Sequence, residues 1–232
     1  MSPQVVDVFF QIVVFLFAIS VHESAHAWVA MRRGDSTAYM LGRVTLNPVK
    51  HIDPVGTILL PIVAAFYHFP MIGWAKPTPV NTRNFKNLVL DDILTTVAGP
   101  ASNFLIAIAS LIGFFLIAKL VPGGPSLIAT AFNAPGAAFQ SSSIMMPICV
   151  LLRLTMEINL LLAVFNLIPI PPLDGSHVIR HFLPEGVRRI YDMAGIFSLI
   201  LLLTVGRNIL AFLFLPVAAV FRSVLATFVN AH

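Results

Sequence analysis

Apolar positions fill four long stretches of the chain, 5–31, 93–121, 144–168 and 190–229, and proline, glycine and charge collect in the segments between them. Each stretch meets or nearly meets the roughly 20 apolar residues that an α-helix needs to cross a bilayer. The last is interrupted by the polar triplet Gly206-Arg207-Asn208, which predicts two helices, the first on the short side. The segment 55–69 is apolar but short, follows Pro54 and contains Pro61. A re-entrant or strand-like element between the first two helices fits it better than a crossing. The pattern predicts an all-α polytopic membrane protein with about five transmembrane helices, built as one integral domain over 1–232.

Composition excludes the alternatives. Of 232 residues, 58% are hydrophobic and only 10% charged. With a mean hydropathy of +0.91, too few polar side chains remain to coat a water-soluble domain. The single Cys149 has no partner for a disulfide within the chain. Neither a basic run nor a polar domain to display one is present, so no nucleic-acid partner is expected. The apolar run 8–21 is not read as a cleaved signal, because no Lys or Arg precedes it.

Basic residues orient the helices, since short cytoplasmic loops collect Lys and Arg. If 55–69 does not cross, Arg32, Arg33, Arg43, Lys50, Lys76, Arg83 and Lys86 share one side, and Arg180, Arg188 and Arg189 join them. The opposite loop, 122–143, has no charged residue. Five crossings then give an outside N-terminus and an inside C-terminus.

The chemistry begins at His22-Glu23-Ser24-Ala25-His26, an H-E-x-x-H pattern near the inner end of the first helix. Residues four apart share a helix face, so both imidazoles can hold one Zn²⁺ while Glu23, next along, reaches a water beside it. With 7 His and 3 Glu in the chain, the pattern arises by chance in roughly 0.3% of shuffled sequences. The structural alternative is a pair of hydrogen-bonded helix histidines. Three ionisable groups within one turn of a membrane helix argue against it, because such groups are expensive there and by default functional.

A catalytic zinc takes a third protein ligand. Asp174 ends the run Asn166-Leu167-Ile168-Pro169-Ile170-Pro171-Pro172-Leu173-Asp174-Gly175, whose prolines forbid a regular helix and predict extended backbone. Broken backbone at membrane depth must be buried in protein or line a wet cavity, which places Asp174 near the metal; its alternative is an ordinary turn aspartate. Glu157 is a rival, but Arg153 stands four residues before it and pairing explains it better. His177 could orient a ligand, though an exposed loop position suits it better, and His51, His68 and His181 have no metal-like partner.

In Gly99-Pro100-Ala101-Ser102-Asn103, small residues allow close helix approach. Asn103 reads either as one interhelical hydrogen bond or as part of the substrate-binding surface. The Asn166 amide could donate to an oxyanion during catalysis, or satisfy carbonyls freed by Pro169 and Pro171.

These motifs, with Gly73-Trp74-Ala75-Lys76-Pro77-Thr78-Pro79-Val80, resemble the site-2 protease family of intramembrane zinc metalloproteases. The similarity runs from Val5 to about Asp192 and is greatest to the minimal prokaryotic branch, because neither a PDZ nor a CBS domain is present. The resemblance implies that His22, His26 and Asp174 hold zinc, that Glu23 is the catalytic base, and that Asn166 assists near the scissile carbonyl. It also implies a substrate-binding strand around Gly73, Trp74, Ala75 and Lys76. Pro77 and Pro79 independently mark that segment as an edge, since neither can donate to a central ladder; its alternative is a surface loop with Trp74 as an aromatic anchor.

The expected function is a plasma-membrane, multi-pass zinc endopeptidase that cleaves transmembrane-protein substrates within the lipid bilayer, close to the cytoplasmic face. The rival is a metal-ion transporter or metal-gated channel using the same residues as a cation site. Transporters often carry two related halves, and no such repeat is present.

Overall fold

The computed structural model describes residues 3–59, 74–134, 138, 142–204 and 207–230. Among the described residues, eight α-helices carry the fold: α1 (Pro3–Arg33), α2 (Thr37–Met40), α3 (Leu88–Leu120), α4 (Gly124–Asn133), α5 (Met145–Asn166), α6 (Asp174–Arg180), α7 (Glu185–Thr204) and α8 (Arg207–Asn230). No strand occurs among the described residues, and four of their helices are long and apolar enough to span a bilayer: α1, α3, α5 and α8. The protein is an all-helical membrane protein. Most of the expected 55–69 element lies outside the described residues; what is described, Pro54–Leu59, forms a single wide helical turn, not a strand.

α3 is the hub, packing most extensively on α5 and α1. In lipid, helices associate through close contact and interhelical hydrogen bonds rather than through hydrophobic exclusion from water. Ala18, Ala27 and Ala30 of α1, Ala107 of α3 and Ala163 of α5 are accordingly buried at the interfaces. Away from the histidines lies a larger, mainly apolar core, built from Phe114, Ile128, Cys149, Val150, Met156 and Leu160.

Contacts fix the helix directions. α1 runs antiparallel to α3, because Arg33 Nε meets Asp91 at 2.6 Å near the start of α3 while the earlier His22 meets the later Asn103. α5 is also antiparallel to α3: Leu152 packs by Gly113, and Asn159 bonds Asn103. α8 is parallel to α3, with ring centroids of Phe104 and Phe221 5.7 Å apart and those of Phe115 and Phe228 5.1 Å apart.

The segment between α5 and α8 therefore leaves and re-enters at the same end of the bundle. Tyr191 Oη and Ser198 Oγ of α7 donate to the carbonyls of Pro169 and Pro171, at 2.7 and 2.6 Å, which holds α7 against the proline break. Gly195, at φ +41°, kinks it. The expectation of a C-terminus on the same side as the basic loops is corrected: residue 230 lies at the end of the bundle where α3 ends and α4 begins. An apolar stretch of sufficient length does not reveal that its first half stays beside a neighbouring loop.

The basic end is tied together by polar contacts. Asp35, fully buried, accepts from Thr37 N and Oγ1, Asn81 N and Asn84 Nδ2. Burial pushes its carboxyl up, but these hydrogen bonds outweigh it and leave Asp35 below the usual carboxylate range.

Candidate metal centre

The H-E-x-x-H spacing does what helix geometry requires. His22 and His26 lie one turn apart on the buried face of α1, with Nε2 atoms 3.0 Å from one another. Asp174 Oδ2 lies 3.1 Å from His22 Nε2 and 3.4 Å from His26 Nε2. Among the described residues this trio is the only group of three or more His, Cys, Asp or Glu placed to share an ion.

Asp174 arrives by an unexpected path. The proline run is a chain of tight turns rather than extended backbone, because the residues that keep an N–H donate backwards: Ile168 to Phe165 O, Ile170 to Ile168 O, and Leu173 to Ile170 O. Gly175 then presses on the carbonyls of Leu167 and Ile168, where any Cβ would collide. Asp174 becomes the first residue of α6 and turns back toward α1.

The far nitrogens of the two rings are also held. His22 Nδ1 donates to Asn103 Oδ1 at 2.6 Å, and His26 Nδ1 donates to the Thr95 carbonyl at 2.7 Å. With protons on both Nδ1 atoms, both Nε2 lone pairs point at the same place. Asp174 Oδ2, buried without a hydrogen bond, points there too. Three converging electron pairs make a site that a metal cation fits. Tetrahedral zinc with bonds of about 2.0–2.1 Å spaces its ligands about 3.3 Å apart, close to the observed edges of 3.0, 3.1 and 3.4 Å. Room beside them depends on Gly99, since a Cβ there would fall 2.6 Å from His22 Nε2 and closer still to His26 Nε2. The residues fit a zinc ion.

Glu23 stands apart from the trio, with Oε2 accepting from Thr78 N at 2.8 Å while Thr78 Oγ1 donates to the Glu23 carbonyl at 3.0 Å. The expected substrate segment thus runs beside the expected base. Trp74 N donates to Gly56 O and Lys76 N to His51 O, which fastens the segment to 51–56, but residues 74–80 form no strand, and the expected substrate-binding strand is not seen among the described residues. Gly73 lies outside the described residues.

Other expectations need adjustment. Asn103 is fully buried, and its nitrogen donates to Asn159 Oδ1 at 2.8 Å and to Ala18 O at 3.3 Å. It supports a histidine rather than facing a substrate. Asn166 Nδ2 donates to Leu162 O on its own helix, and not to a carbonyl freed by Pro169 or Pro171. Arg153 and Glu157 pair at 2.9 Å as their spacing predicts. His177 is half exposed, 3.9 Å from Asp92, while His181 bonds Asp92 at 2.7 Å and so ties α6 to α3. His51 is buried and bonds Thr45 O; His68 lies outside the described residues. Sequence reasoning passes over Thr78, Thr95, Asn159 and the Asp92–His181 tie. Of these only Asn159 carries a signal, as an amide in a spanning helix that must find a partner.

Residues 10–205 match peptidase family M50. The chain belongs to peptidase family M50. It is 42% identical over 177 residues to a protein of Bacillus subtilis (strain 168) named "Putative zinc metalloprotease YwhC", with 76% of this chain and 70% of the relative covered. Proteins of Mycolicibacterium smegmatis and Mycobacterium tuberculosis, both named "Putative zinc metalloprotease Rip2", are 29% and 27% identical; 75% and 82% of this chain align with 58% and 63% of theirs. No solved structure matches. Family membership and the fit of the trio to zinc agree: the chain is a metalloprotease of the M50 type.

Proposed function

We propose that the protein is a multi-pass plasma-membrane endopeptidase that cleaves transmembrane segments of other membrane proteins near the cytoplasmic face. The observation that carries this reading is the depth of the trio. Its histidines lie 7 and 11 residues before Arg33, about 10 and 16 Å along α1. That is within the span but nearer its basic end, and an excess of Lys and Arg marks a cytoplasmic side.

His22, His26 and Asp174 would hold the zinc, which when bound supplies Lewis-acid polarisation of a peptide carbonyl and acidification of water. Glu23 takes the proton from the attacking water and returns it to the leaving amine, completing hydrolysis without net proton change. The Thr78 amide keeps the Glu23 carboxylate in place between those transfers. A helical substrate must unwind locally before its carbonyl is accessible. Ala75, between Trp74 and Lys76 whose N–H groups are taken by Gly56 and His51, can offer its own backbone to the unwound substrate in exchange for the hydrogen bonds that the substrate helix loses.

The test is co-expression with a panel of single-span membrane proteins. Wild type should yield shortened fragments, Glu23→Gln none, and Ala75→Pro fewer by at least about tenfold while remaining folded and zinc-loaded. Fragments of equal yield from Glu23→Gln would remove the assignment of the base. Metal flux without fragments from wild type would favour a transporter.

A further inference from the structure

The support behind His22 does not end at Asn103. Asn159 of α5 is fully buried in an otherwise apolar helix face, and no step of hydrolysis uses it. Its Nδ2 donates to the Thr155 carbonyl at 2.8 Å, and its Oδ1 accepts from Asn103 Nδ2 at 2.8 Å. Asn103 Oδ1 in turn accepts from His22 Nδ1 at 2.6 Å. Three helices thus contribute one continuous hydrogen-bonded chain, Thr155 carbonyl, Asn159, Asn103, His22.

The direction of this chain is not arbitrary. A backbone carbonyl can only accept, so Thr155 O fixes which end of the Asn159 amide is nitrogen, and Ala18 O, 3.3 Å from Asn103 Nδ2, does the same for Asn103. We infer that Asn159 is a positioning residue for the metal centre: it holds the Asn103 amide so that Oδ1 faces His22, which keeps the His22 proton on Nδ1 and its Nε2 free for zinc.

His26 needs no such device, because its Nδ1 bonds the Thr95 backbone carbonyl, which cannot turn over. Asn103 can. Without Asn159 it is held only by the longer bond to Ala18, and a half-turn of its amide would set an N–H against His22 Nδ1. The His22 proton would then move to Nε2, the atom that faces Asp174. Outer hydrogen-bond partners of metal-bound histidines fix tautomer and ring orientation in this way.

The inference rests on zinc being held by His22, and the experiment separates the two. Zinc dissociation constants are measured by chelator competition on the purified full chain for wild type, His22→Ala, Asn159→Leu, Asn103→Leu and the double leucine variant. Asn159→Leu should bind zinc on the order of tenfold more weakly or worse. The double variant should be no weaker than Asn103→Leu alone, because Asn159 acts only through Asn103. Asn159→Asp, whose carboxylic-acid form keeps a carbonyl acceptor for Asn103 and a hydroxyl donor for the Thr155 carbonyl, should restore wild-type affinity at a pH low enough to protonate it. If Asn159→Leu does not fold, Asn159→Ser, too short to reach Asn103, carries the same expectation. Unchanged zinc affinity on loss of Asn159, or additive losses in the double variant, would overturn the positioning role. Retention of zinc by His22→Ala would instead overturn the ligand assignment beneath it.

Discussion

At the scale of single residues, the decisive feature is how little space the centre has. Gly99 sits in the middle of α3, where alanine would ordinarily stabilise the helix by about 1 kcal/mol. The histidine rings it would strike are held from behind by Asn103 and Thr95 and cannot swing away freely. Gly99→Ala should therefore fold yet bind zinc on the order of tenfold more weakly or worse, read by chelator competition. Wild-type affinity would mean that the rings can give way. The two histidines and Glu23 were legible because their relation is local, fixed by four residues of helix. Gly99 and Asn103 were legible only as packing and one hydrogen bond, since their partners lie some 80 positions away and depend on the α1 and α3 register. Asn159 carried a polarity cost but no address.

At the scale of elements, the basic end is organised by buried acids that tie helix ends to loops. Asp35 joins the end of α1 to the 81–84 turn, which leads into α3, and its folded carboxyl lies below the ordinary value. A depressed carboxylate contributes stability that is fully present above its unfolded pKa, about 3.9, and is lost as pH falls toward the folded value. Thermal midpoints of wild type should thus decline more steeply below about pH 4 than those of Asp35→Asn, which starts lower at neutral pH. Parallel curves would assign the acid sensitivity elsewhere. The proline run shows what composition can and cannot say of an element. Three prolines ruled out a helix over 169–172, but the choice between extended chain and successive turns was made by which neighbours retained an N–H to donate.

At the scale of the whole molecule, the directions of α3 and α8 decide the topology. Four long helices, with α7 kept beside the proline run, put residue 229 on the side of residue 124 and opposite 76 and 188. Single cysteines at these four positions in a Cys149→Ser background, labelled with an impermeant reagent from one side at a time, should sort in that way. Position 229 labelling together with 76 would restore a fifth crossing. Hydropathy located the spanning regions well, because length and apolarity are intrinsic to a segment. It missed the return of α7, because that depends on Tyr191 and Ser198 finding the carbonyls of Pro169 and Pro171. The claim on which the rest depends is that one zinc ion is held by His22, His26 and Asp174. Metal analysis of the purified chain should find one zinc per wild-type molecule and none in the folded triple alanine variant. Stoichiometric zinc in that variant would contradict the account.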